Sequence, residues 1–335
     1  MALKWGIVAT GSIAQDFVIA LSTLPEEDHK VVAVGARDKN RAEEFAKTYD
    51  IPKAYKGYDA IAKDPDVEIV YVATLNTSHY DISMQMLEHG KHILCEKPLC
   101  MNEKAAKKLI KFAKSKNLFL MESIWSRFFP AYKYLKEKID AGQLGEIRKV
   151  NASIGFPLSN DRMLKKNLGG GTILNFAVYP IQLCQWVFRE PPKEIRTSGK
   201  LNEDGVDIEI ECELIYSNGV SKFEISTTRK LKNEAIIVGT KGQITLNDIF
   251  WCPITLTDTD GTLKTWVLPK GKYLCANFPN SSGLSFEAEE VRKCIRAGRI
   301  QSNHASHDES LLIANIEDEM RRQVGVKYDA DDDGQ

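Results

Sequence analysis

Lys4-Trp5-Gly6-Ile7-Val8-Ala9-Thr10-Gly11-Ser12-Ile13-Ala14 is the stretch that decides the fold class. Its apolar run reads as a buried strand, and the residues after it open a helix. Gly11 lets the backbone approach a pyrophosphate, whose charge suits the N–H groups at a helix N-terminus, and Ala14 allows that helix to pack closely. Ser12 and Ile13 supply the first helical amides. Ala9 stands where the Gly-x-Gly-x-x-Gly/Ala pattern has its first glycine. The motif alone is a weak signal, so its surroundings must carry it.

Outward from that stretch, residues 4 to 121 alternate short Val/Ile-rich runs with longer helical patterns. Strands are expected near 4–9, 31–36, 68–74, 91–95 and 118–121, and helices near 12–23, 39–48, 78–89 and 102–116. Such alternation implies a doubly wound parallel sheet with helices on both faces, a Rossmann domain over 1–123. The second strand ends Val34-Gly35-Ala36-Arg37-Asp38, where an acid would bind the ribose 2′-hydroxyl of NAD. Ala36 occupies the expected place of that acid, and Arg37 offers a guanidinium to a 2′-phosphate, which favours NADP. Asp38 is the other candidate for the ribose, but with Lys39-Asn40-Arg41 after it, it reads as the N-cap of the next helix.

The second half changes character. Helices near 130–141 and 172–187 precede a region, 191–268, rich in strand-like runs at 208–216, 220–227, 235–238 and 254–257. Ser217-Asn218-Gly219 and Lys241-Gly242 punctuate them as hairpin turns, so 124–328 reads as an α/β domain with a large, mainly antiparallel open sheet. Helices near 284–297 and 307–324 close the chain, the last started by the capping box Ser306 to Glu309. The acidic end, 329–335, begins like a calcium loop but lacks the bidentate Glu, so a disordered tail is expected.

Composition bounds the function. At 335 residues two domains are expected, and 43% hydrophobic residues suffice for large cores. With 45 basic and 46 acidic side chains no strong global field recruits nucleic acid or anionic membrane, and no apolar run approaches membrane-spanning length. Seven cysteines, at 95, 100, 184, 212, 252, 275 and 294, contain no Cys-x-x-Cys. Free thiols in the cytoplasm are therefore expected, where the glycosylation triplets at Asn76, Asn151 and Asn280 have no meaning. His304 and His307 lack the further ligands a metal site needs, so no metal is expected.

Cys95-Glu96-Lys97-Pro98, with Thr74-Leu75-Asn76-Thr77-Ser78-His79, resembles the glucose-fructose oxidoreductase and inositol dehydrogenase family. The segment 119–130, which contains Ile124-Trp125-Ser126-Arg127-Phe128-Phe129, and Gly169-Gly170-Gly171 leading to Tyr179 are similar to its dihydrodiol dehydrogenase branch. The resemblance runs from the first strand to the last helix. It implies an NADP-binding Rossmann domain with Thr74, Leu75, Asn76, His79, Glu96 and Lys97 at the cofactor. It also implies a second domain that binds substrate and forms a homodimer through its open sheet. The implied reaction is NADP-linked oxidation of trans-dihydrodiols of aromatic hydrocarbons, with D-xylose and related aldoses as alternative substrates. The family lysine maps onto Lys97 and the branch tyrosine onto Tyr179.

Removing hydride from a carbinol carbon needs a base for the hydroxyl proton, and a free tyrosine, with a pKa of about 10, is too weakly ionised at neutral pH. A cation such as Lys97 would favour the phenolate and hydrogen-bond the developing alkoxide. Asn175 and Ala177 stand where the family carries Asp and Gly; Asn175, the third candidate catalytic residue, can still hydrogen-bond substrate or Lys97, but it supplies no negative charge. The consequence is either a shifted substrate preference and pH dependence, or a non-catalytic NADP-binding sensor or partner module. Trp125, Trp251 and Phe278 are candidate walls of a slot for a planar ring, with ordinary packing the alternative. Arg127 and Arg148 are candidates for steering hydroxyls, with surface salt bridges the alternative. His79, at the first turn of a helix, is expected near the nicotinamide or as a helix cap.

Overall fold

The computed structural model describes residues 1–273 and 276–332, so Cys275 and the tail residues Asp333, Gly334 and Gln335 lie outside the described residues. Residue contacts divide the chain into two compact units, one of 1–100, 104–128 and 268–307, the other of 101–103, 129–267 and 308–335.

In the first unit β1 (Leu3–Val8), α1 (Ser12–Leu21), β2 (His29–Ala36), α2 (Lys39–Thr48), β3 (Lys53–Lys56), α3 (Asp59–Lys63), β4 (Ile69–Val72), α4 (His79–Glu88), β5 (His92–Glu96), α5 (Glu103–Ser115) and β6 (Leu120–Ser123) follow one another. Among the described residues the strands form one parallel sheet in the order β3-β2-β1-β4-β5-β6. Trp5, Ile7 and Val8 of β1 are wholly buried. Each contributes about 1.5–3 kcal/mol by leaving water, which is why this run nucleates the sheet's centre. The strand order reverses between β1 and β4, and the crevice at the carboxyl ends there is where such sheets bind ligands.

β3 and α3 were not among the expected elements. Lys53-Ala54-Tyr55-Lys56 is a half-exposed edge strand with no apolar alternation for a sequence reading to detect. Its pairing is set from outside: a Cβ on Gly35 would lie 2.6 Å from the Gly57 carbonyl oxygen, so only glycine lets the chain after β3 pass this close to β2.

The second unit carries α6 (Pro130–Asp140), β7 (Ile147–Gly155), α7 (Asp161–Leu164), a π-helical turn over Ile173–Ala177, and α8 (Val178–Phe188). β8 (Glu194–Leu201), β9 (Asp207–Ile215), β10 (Val220–Ser226), β11 (Ala235–Gly239), β12 (Gly242–Leu246), β13 (Thr255–Thr257) and β14 (Leu263–Thr265) complete it. The described strands form one sheet, β14-β13-β12-β11-β7-β10-β9-β8. The hairpins between β9 and β10 and between β11 and β12 fall at the two turns read from sequence. The sheet is mixed, however: β7, which lies before the expected strand region, sits at its centre and pairs parallel with β10. Phe223, Ile225, Ile210, Cys212, Val150 and Ile237 bury one face, against which α8 packs.

The chain then returns to the first unit with α9 (Leu284–Arg296), which packs on α1. α10 (His307–Val324) starts directly after Ser306, at the start expected from the sequence, and from Asp308 belongs to the second unit. The described part of the acidic end is ordered: Asp329–Asp331 form a 3-10 turn, because Asp331 accepts from the buried Arg321 at 2.6 Å and from the Tyr328 amide at 2.9 Å. The six described cysteines are buried and form no disulfide among the described residues, and no described helix is long and apolar enough to cross a membrane.

Candidate active site

At the carboxyl edge of the first unit's sheet, Gly11 is the N-cap of α1 and no side chain caps that helix. A Cβ on Gly11 would meet nothing within 4 Å. Open space before uncapped helix amides fits a pyrophosphate, with Ser12 exposed, Ile13 half-buried and Ala14 fully buried against the unit. Ala9 adopts φ 80°, the left-handed conformation that the fingerprint ordinarily assigns to glycine.

Asp38 caps α2, its Oδ1 accepting from the amides of Asn40 at 2.8 Å and Arg41 at 3.3 Å. Arg37 and Arg41 are exposed beside Tyr58, whose half-buried phenol is raised by burial against the opposing pull of the two guanidinium charges. Among the described residues neither arginine forms an ion pair.

Thr74, Leu75 and Asn76 follow β4, with Asn76 buried and accepting from the Thr77 amide at 3.0 Å. His79, 1% exposed, faces the Pro98 carbonyl oxygen with Nδ1 at 2.8 Å and that of Thr74 with Nε2 at 3.2 Å. It thereby ties the loop after β4 to the loop after β5, where Lys97 is half-buried and its bond to Pro98 is cis. Glu96 accepts from Tyr71 at 2.5 Å.

Trp125 and Arg127 lie in the 3-10 turn Trp125–Phe128. Arg127 is neither a surface salt bridge nor an exposed guide for hydroxyls: it is 1% exposed and donates to the His304 carbonyl at 3.0 Å, because the turn faces inward. Phe278 is exposed, its amide held 2.8 Å from Oδ2 of the buried Asp16 on α1. His307 is a packing residue, bonded to the Leu120 carbonyl at 2.9 Å. Among the described residues no three metal-ligating side chains gather.

In the second unit Asn175 occupies the π-helical turn and Tyr179 the first turn of α8, both buried. Tyr179 stacks on Trp251, ring centroids 5.7 Å apart and planes at 29°, and Phe156 meets Trp251 edge-on at 5.8 Å. The phenol is thus backed by an aromatic wall. Arg148 lies apart from this cluster, exposed and paired with Glu146 at 2.6 Å.

Asp207, which no motif marks, sets up this helix. Fully buried, it accepts from Thr172 Oγ1 at 2.6 Å and from the Ile173 amide at 2.7 Å. Burial pushes its carboxyl up while those donors hold it down. Gly171, at φ 113°, has to be glycine, since a Cβ there would lie 2.5 Å from Asp207 Oδ1.

Comparison with known proteins is consistent along the whole chain. Residues 3–123 match the model of an oxidoreductase family with an NAD-binding Rossmann fold, and residues 132–245 the model of the GFO/IDH/MocA C-terminal domain. The chain is 41% identical over 334 residues, 99% of each chain, to trans-1,2-dihydrobenzene-1,2-diol dehydrogenase from Danio rerio. Two solved structures share the fold. Levoglucosan dehydrogenase in complex with NADH and levoglucosan superposes with a TM-score of 0.83 at 21% identity, over 97% of this chain and 98% of that one. A 3-ketoreductase from Actinomadura kijaniata with TDP-benzene and NADP does so with 0.78 at 23%, over 98% and 99%.

Proposed function

The chain belongs to the GFO/IDH/MocA family of oxidoreductases and is a dehydrogenase, and from that premise we propose that it oxidises trans-dihydrodiols of aromatic hydrocarbons with NADP. The observation that carries the substrate reading is the stacked pair Tyr179–Trp251, a flat apolar surface beside a phenol that suits a planar ring bearing hydroxyls. The nucleotide reading rests on Arg37, just after β2, and Arg41, in the first turn of α2, two guanidinium groups that form no ion pair among the described residues, with Asp38 between them engaged as a cap.

Gly11 and the first amides of α1 would hold the pyrophosphate, and the loops after β4 and β5, tied by His79, the nicotinamide end. When bound, the cofactor supplies the acceptor for the carbinol hydride. Tyr179 takes the hydroxyl proton of the substrate, and the Lys97 ammonium hydrogen-bonds the oxygen as negative charge develops on it. Asn175 keeps the loop before α8 in shape rather than holding a charge. In this reading the chain is a cytoplasmic homodimer joined through the uncovered face of the second unit's sheet, where Arg196 and Lys222 both pair with Glu213. Sedimentation at micromolar concentration should give twice the chain mass.

The deciding experiment is a steady-state assay of NADPH fluorescence with a trans-dihydrodiol and, separately, with D-xylose. Turnover of the diol is expected, with kcat lowered roughly 100-fold or more in Tyr179→Phe and NADPH affinity unchanged. Turnover of D-xylose alone would replace this reading with an aldose dehydrogenase. Tight NADPH binding with neither would leave a non-catalytic module.

A further inference from the structure

Four side chains, from β4, β5, β6 and α9 of the first unit, join in one chain of hydrogen bonds. Tyr71, wholly buried and stacked on Phe17 at 3.8 Å, donates to Glu96 Oε1 at 2.5 Å. Ser123 Oγ lies 3.4 Å from that oxygen and 2.7 Å from Oε1 of Glu287. Glu287 is 0% exposed, and its Oε2 has no hydrogen-bond partner among the described residues.

A serine hydroxyl has one proton to give, so two carboxyls on one Oγ cannot both accept from it. Both contacts are satisfied when one of the two is protonated and donates to Oγ. Their surroundings decide which. Glu96 is half-buried, receives the Tyr71 hydroxyl and sits at the open end of β5. Glu287 is enclosed, with no cation paired to it among the described residues, and burial, aided by the Glu96 charge and opposed by the Ser123 hydrogen bond, pushes its carboxyl well above the usual range. The bonds therefore run from Glu287 to Ser123 to Glu96, with Tyr71 closing the far side.

We propose that Glu287 is a positioning residue for the reaction: as a neutral acid it donates through Ser123 to the Glu96 carboxylate, and so fixes both the charge and the backbone from which Lys97 projects. The inference rests on the role given to Lys97 above. Glu96 and Tyr71 are the titratable groups that act on Glu287 from the sheet. The other elements packed on α9 carry Asp16, held by the Asn277 and Phe278 amides, and Arg127, held on the His304 carbonyl.

Three variants of the full chain test it: Glu287→Gln, Glu287→Leu and Ser123→Ala. Gln still offers a neutral N–H to Ser123, so Glu287→Gln should rescue kcat to within about threefold and keep the wild-type pH profile. Ala at 123 removes the donor to the Glu96 carboxylate, and Leu at 287 removes the donor that orients that hydroxyl toward it, so in both Glu96 holds a proton to higher pH. Each should lower kcat roughly tenfold and move the acid limb of the profile up by about one pH unit. Infrared difference spectra at neutral pH give a readout without turnover: a buried carboxylic-acid band in the wild type that Glu287→Gln lacks. A band untouched by Glu287→Gln would overturn the proposal, as would a Gln variant as impaired as the Leu one. Variants that melt earlier but keep the wild-type kcat and pH profile would reduce Glu287 to scaffold and overturn it too. If Lys97→Ala leaves turnover intact, the role of Lys97 fails instead, while the infrared band still reports where the proton resides.

Discussion

The side-chain amide of Asn175 donates to the carbonyl oxygen of Gly171 at 2.8 Å and reaches that of Gly169 at 3.3 Å. Two carbonyl acceptors around one terminal atom require that atom to be the NH2 group. Position 175 is therefore used here as a donor that fastens the glycine loop to the helix of Tyr179.

Placing an acid at 175 should accordingly harm rather than help. In Asn175→Asp a carboxyl oxygen meets those carbonyls, and stability should fall by about 1–3 kcal/mol. The buried Asp would hold its proton in the folded state above the unfolded value, so the fold binds more protons and the deficit grows as pH rises past about 4. Thermal melts at pH 5 and pH 8 check this, and an Asp variant that melts like the wild type at pH 8 would refute it.

Ala9 at φ 80° pays the steric cost of the left-handed region. Ala9→Gly should stabilise the chain by about 1 kcal/mol, the relief outweighing glycine's extra freedom in the unfolded state. Chemical denaturation with an unchanged m-value would measure it, and a lower midpoint would contradict it.

Arg37→Ala should weaken NADP binding about 10- to 100-fold, the loss of one charge-assisted contact, and leave NAD binding within about twofold. Parallel fluorescence titrations with the two nucleotides read the ratio. An equal loss for both would point to damage at the pyrophosphate loop instead.

His29 sets an acid limit on stability. Its Nδ1 accepts from the Trp5 indole N–H at 3.2 Å and its Nε2 faces Glu289 at 3.0 Å, so the ring is neutral in the fold. Burial, its largest influence, holds it below the ordinary 6.5 despite the Glu289 carboxylate. The unfolded chain then binds the extra proton first, and stability falls as pH drops below about 6.5. The urea midpoint should decline from pH 7 to 5.5, and His29→Gln should flatten that decline. A slope untouched by the substitution would rule His29 out.

Local patterns carried much of the fold. β1, the turn at Gly11, the hairpin at Ser217–Gly219 and the start of α10 were legible because each depends on a few neighbouring residues. β3 and β7 were not. Lys53–Lys56 has no apolar stripe, and the central place and parallel pairing of Ile147–Gly155 depend on β10, which lies some seventy positions later. The site divides in the same way. Asp38 was readable as a cap, because its acceptors are the next residues in the chain. The burial of Arg127 was not readable, because the His304 carbonyl it donates to lies far along the chain. Asp207 and Glu287 carried no motif at all.

By itself the sequence determined the class of the fold, the nucleotide end and the residue types available for proton transfer, since periodicity, turn chemistry and short motifs are written in adjacent positions. Only the tertiary structure decided which way Asn175 turns its amide, which of two glutamates keeps a proton, and which strand lies at the middle of the second sheet. Those outcomes are set by burial and by partners brought together from distant parts of the chain, and the energy of a buried charge or an unmet hydrogen bond exists only once the chain has folded around it.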